Sequence, residues 1–129
     1  GTPLDGADRA GAPGVRNPYP WLPESEIDPA HLVATVVDTA HQLAELCLAR
    51  GDLDGVRWAV RQAWYVDVER GYDHPWRDLL RAEYAAGRMA EVRRLLAELM
   101  RLRDAEVPED LAPETYELVR DWPVFAARR

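Results

Sequence analysis

The chain contains no lysine, a single cysteine and a single phenylalanine, and it has no apolar run near the ~20 residues a helix needs to cross a bilayer. Cys47 has no second cysteine with which to form an intramolecular disulfide, and it leaves no thiolate set for a zinc cage. A reducing, cytoplasmic setting is therefore expected. No charged segment followed by an apolar stretch reads as a signal peptide, so neither export nor a membrane partner is expected. All 16 basic residues are arginine, and 23 acidic residues outnumber them to give a net charge of -7. Phosphate backbones are held by clustered basic side chains, so direct binding of nucleic acid by this chain alone is not expected. An arginine-only, alanine-rich composition fits a GC-rich genome.

Hydrophobic residues make up 47% of the 129 positions and charged residues 30%, the balance of a folded, soluble protein with one continuous core. Residues 1–27 carry Pro3, Pro13, Pro18, Pro20 and Pro23 among four glycines, which forbids regular helix and disfavours a strand. An extended arm is expected there. Its apolar end at Tyr19 and Trp21 is expected to lie on the helical body.

From Asp28 the pattern becomes helical. Asp28-Pro29 is an acid cap with proline just inside, and Leu32, Val33, Val36, Val37, Ala40, Leu43, Ala44, Cys47 and Leu48 recur at three- and four-residue steps up to Gly51. The same punctuation predicts helices over 29–50, 53–67, 74–86, 89–104 and 113–121, with Pro123 ending the last. The expected organisation is an arm over 1–27, an all-α domain over 28–122 and a tail over 123–129.

At an offset of 36 (87 minus 51), Leu43 aligns with Leu79, Gly51 with Gly87, Val56 with Val92 and Arg57 with Arg93. The period and the spacing of Trp76, Leu79, Val92 and Leu96 resemble degenerate tetratricopeptide units, with valine at 56 and 92 in place of the usual alanine and Val68 in place of the closing proline. The sequence also has an arm with Gly1-Thr2-Pro3-Leu4 and the later Trp21, two such hairpins, and an ending with Pro113, Glu114 and Leu118. In that order it resembles the bacterial transcriptional activator domain of actinobacterial antibiotic regulatory proteins, over Gly1 to about Asp121. The resemblance implies an all-α fold of tetratricopeptide-like antiparallel hairpins. It also implies a non-catalytic interaction module within a larger transcriptional regulator, without a cofactor, whose partner is a protein segment or a neighbouring domain of the same parent protein. No winged-helix segment is present, and the family domain usually carries further helix ahead of the arm.

In tetratricopeptide arrays the first helix of each pair lines a groove. The matching positions are Asp38, His41 and Glu45, with Leu48, then His74, Arg77, Arg81 and Tyr84. Arg77 and Arg81 are one turn apart and could grip an incoming carboxylate, or pair with Asp38 and Glu45 across the groove. His31 and His41 are ten residues apart on one helix, a rise of ~15 Å, too far for one metal. Ser25, Thr35 and Thr39 sit in no nucleophile elbow. Cys47 falls on the apolar stripe and is expected to be buried and inert. Trp76 occupies a core position, Trp58 is expected to be partly exposed or covered by the arm, and only one of Trp64 and Tyr65 can face inward, the other being a surface aromatic expected under the arm rather than against a partner. A small enzyme using Glu24, Glu26 and Asp28 is disfavoured, because carboxylates in a proline-rich arm are usually solvated. A homodimer closing over exposed helix faces is the other alternative.

Overall fold

The structure is a computed structural model and describes residues 28–126. The expected arm, with Tyr19, Trp21 and the acids Glu24 and Glu26, lies outside the described residues. Six α-helices follow one another: α1 Pro29–Arg50, α2 Leu53–Val66, α3 Asp73–Ala85, α4 Met89–Leu102, α5 Pro113–Val119 and the single turn α6 Pro123–Ala126, with a 3-10 turn over Pro108–Asp110. Among the described residues there is no strand, so the chain is all-α.

The chain divides into two compact units, residues 1–32 and 33–129. Of the first, only the start of α1 is described. Asp28 caps it as its position before Pro29 predicts, accepting from Ala30 N through Oδ1 at 3.1 Å and from Leu32 N through its carbonyl at 3.0 Å.

In the second unit two buried clusters form the core. Val37, Ala40, Ala44 and Cys47 of α1 pack against Val56, Ala59, Val60 and Ala63 of α2 and Ala82 of α3. These small side chains permit close helix approach. Where α2 starts, Gly55 makes the closest contact, because a Cβ there would lie 2.6 Å from Cys47 Sγ and 2.5 Å from Asp52 Oδ2. The other cluster is built from larger residues: Trp76 and Leu80 of α3, Val92, Leu95, Leu96 and Leu99 of α4, then Leu111, Val119, Trp122 and Val124. Trp64 and Leu79 touch both clusters and join them.

By length and mean hydropathy α1 is the one described helix able to cross a membrane. Of its apolar residues, Val37, Ala40, Ala44 and Cys47 are packed in the core, whereas Leu43 and Leu46 are exposed.

The turn after α1 and the turn after α3 share one hydrogen-bond pattern. Gly51 N donates to Leu48 O and Asp52 N to Cys47 O; 36 residues on (87 minus 51), Gly87 N donates to Tyr84 O and Arg88 N to Glu83 O. Gly51 and Gly87 have φ of 72° and 73°, a left-handed conformation that other residues rarely adopt. The turn after α4 repeats the device with Asp104 at φ 55°.

Several helix ends differ from the sequence expectation by a residue or two, and three of the differences have a visible cause or consequence. Tyr72, not Asp73, caps α3, and Asp73 lies inside the helix, where Arg103 Nε and Nη2 donate to its Oδ1 at 3.0 and 2.6 Å. The left-handed turn at Asp104 stops α4 at Leu102. Pro123 opens α6 instead of only closing the helix before it, and Val124 is buried in the core.

Candidate functional site

Polar side chains of α1 and α3 converge on one face. Asp78 is 1% exposed, and its Oδ2 lies 2.7 Å from Nδ1 of His41. The His41 ring stacks on that of His74, with centroids 4.9 Å apart and planes at 26°. Arg77, one turn beyond His74, reaches His74 Nδ1 through Nη2 at 2.8 Å and Thr115 Oγ1 of α5 through Nη1 at 3.2 Å. On the outer side, His41 Nε2 is 3.5 Å from Glu45 Oε2.

Burial sets the electrostatics. Arg77 donates to His74 Nδ1, so that nitrogen carries no proton. Burial, followed by the electrostatic effect of His41 and of the Arg77 guanidinium, holds the His74 pKa below its ordinary 6.5, against the opposing pull of Asp78 and Asp38. Burial also raises the Asp78 carboxyl above the ordinary range, opposed by the His41 hydrogen bond and by Arg81. Asp78 Oδ1 has no hydrogen-bond partner, and the nearest cation is Arg81 Nη1 at 3.8 Å. Among the described residues no carboxylate comes within ion-pair distance of Arg77, whose acceptors are both neutral.

The expected groove residues therefore separate into groups. His41, His74 and Arg77 form one network with Asp78, and Glu45 and Arg81 stand at its edge. Asp38 is exposed on α1 and acts on His74 only through its charge. Tyr84 lies apart, its ring stacked on Trp122 with centroids 4.1 Å apart and planes at 7°. Neither Arg77 nor Arg81 forms an ion pair with Asp38 or Glu45. Asp78 and Thr115, both buried, were not foreseen. The only sequence signal for Asp78 is an acid set between Trp76 and Leu79-Leu80, where apolar neighbours favour burial.

The arrangement orients rings and a guanidinium. His41 Nε2 faces the Glu45 carboxylate and not a hydroxyl or thiol. Among the described residues no three His, Cys, Asp or Glu side chains group as metal ligands. Cys47 is buried in the α1/α2 cluster.

No protein-family model matches the chain, and no curated protein or solved structure was found to match it.

Proposed function

We propose that this chain is a non-catalytic protein-interaction module of tetratricopeptide-like paired helices, part of a larger cytoplasmic transcriptional regulator. In this reading it holds a protein segment or a neighbouring domain of its parent protein on the face shared by α1 and α3, without a cofactor and without touching nucleic acid itself. The observation that carries the reading is the meeting of His41 of α1 with Asp78 and His74 of α3. It brings side chains of α1 and α3 together, which supports reading these two as the first helices of successive pairs lining a groove. Arg77 sits on that face with only neutral acceptors, ready to take a carboxylate from the partner. The turns repeated at Gly51 and Gly87 support the paired-helix arrangement.

The test is calorimetric titration of the whole chain with the polypeptides encoded on either side of it in its parent gene. Saturable binding to one of them, weakened about tenfold or more by Arg77→Ala, is expected. Binding that ignores Arg77→Ala, or no binding by either flank, would reject the reading.

Leu46 of α1 is 64% exposed with Leu43 beside it, which favours a second reading in which this helix face closes a homodimer. Light scattering over a dilution series separates the two readings.

A further inference from the structure

The outer face of α2 carries a different chemistry. Trp58, Arg61, Gln62 and Tyr65 follow one another at helical spacing along one stripe, with Trp58 51% and Tyr65 83% exposed. Beside the stripe an open cleft of about 580 Å³ is lined by Arg61, Gln62, Trp64, Tyr65 and Arg70. The Arg70 guanidinium lies over the Trp64 ring, 4.1 Å from its centroid. The Trp64 Nε1 donor is shielded from water and meets no acceptor among the described residues.

Arg61 is the uncompensated charge here. Several arginines elsewhere on the molecule are matched closely by acids, as Arg57 is with Glu83 at 2.8 Å, Arg88 with Glu83 at 3.2 Å and Arg103 with Asp73 at 2.6 Å. Among the described residues no carboxylate comes within ion-pair distance of Arg61, whereas Arg70 pairs at long range with Glu98, at 3.9 Å. Arg70 also lines a second cleft, with Val68, Glu69, Trp76 and Glu98. In a chain of net charge -7, the unpaired Arg61 and the loosely paired Arg70, flanking exposed aromatic rings, form a local basic site. Trp, Tyr and Arg are also the side chains most enriched where truncation costs binding energy.

We propose that the outer face of α2, from Trp58 to the Arg70 cleft, is a docking surface for an extended acidic protein segment that alternates carboxylate and apolar side chains. The carboxylates meet Arg61 and Arg70, and the apolar side chains cover Trp58 and Tyr65. This surface is distinct from the face shared by α1 and α3, and the proposal does not rest on the function assigned to that face.

The test is fluorescence anisotropy of the full chain with a short fluorescein-labelled peptide alternating glutamate and leucine. Saturable binding that weakens with salt is expected. Arg61→Ala and Tyr65→Ala, both at exposed positions and so without effect on circular dichroism, should each weaken it about tenfold. Arg77→Ala should leave it unchanged. Any of these results would overturn the proposal: no saturable binding, equal binding of the same peptide with glutamine for glutamate, loss of binding in Arg77→Ala, or tighter binding in Trp21→Ala, which would assign the cleft to residues 1–27 of the chain itself. A molecular mass that doubles with concentration and reverts in Tyr65→Ala would assign it to a second copy and overturn the proposal equally.

Discussion

Arg57 of α2 grips Glu83 of α3 with two donors, Nε at 2.8 Å and Nη2 at 3.0 Å. Glu83 is almost fully buried and also receives Arg88 at 3.2 Å, so one carboxylate ties α2, α3 and the residue that starts α4. Removing it leaves Arg88 without its acid and Arg57 with only the exposed Asp54. Glu83→Ala should destabilise the fold by about 3 kcal/mol in urea titration. Asp54, the exposed second partner of Arg57 at 2.7 Å, is the control, because Asp54→Ala should cost under about 1 kcal/mol.

The His74 pKa, depressed by burial, predicts the sign of one pH effect. The folded state takes up a proton at His74 less readily than the unfolded chain, so stability should fall as pH drops below the ordinary 6.5 toward the lowered value. Asp78 opposes this at more acid pH, because its raised pKa means the cost of the buried carboxylate is relieved on protonation. Thermal melts from about pH 7 to about pH 5 should show a decline that flattens in His74→Gln.

At Gly55 steric contact should outweigh helix propensity. Alanine is the better helix former by ~1 kcal/mol, yet its Cβ would meet Cys47 Sγ at 2.6 Å. Gly55→Ala should therefore destabilise by about 1–3 kcal/mol, and adding Cys47→Ala should recover part of the loss in a double-mutant cycle.

The three left-handed turns predict a pair of opposite effects. Asp104 holds φ 55° with a side chain that disfavours it, so Asp104→Gly should raise the melting temperature, a gain of about 0.5–1 kcal/mol. Gly51→Ala places a Cβ at φ 72° and should lower stability by about 1 kcal/mol, although nothing crowds that position.

The helix ends marked by glycine or proline could be read in the sequence because those residues act through their own backbone. Pro29, Gly51 and Gly87 each mark a boundary within a residue or two. Asp104 could not be read this way: an acid at a positive φ looks like any helical surface residue until the turn is seen. The apolar stripes of α1 and α4 were legible from their period, and so were the burial of Trp76 and the exposure of Trp58. In the α1/α3 network, His41, His74 and Arg77 were reached through the repeat alignment. Asp78 and Glu83 escaped because a charge on an apolar stripe reads as solvated, and their partners come from other helices. Tyr84 was misplaced because a residue at the end of α3 can turn to either side, and the ring of Trp122 decides which.

The most direct measurement on the face proposed to hold a partner, shared by α1 and α3, is NMR chemical-shift mapping of the whole chain, titrated with whichever flanking polypeptide binds it. Shifts concentrated at His41, His74 and Arg77, with the imidazole signals of both histidines moving together because their rings are stacked, are the predicted result. Shifts that leave these three residues untouched and fall elsewhere on the molecule would contradict it.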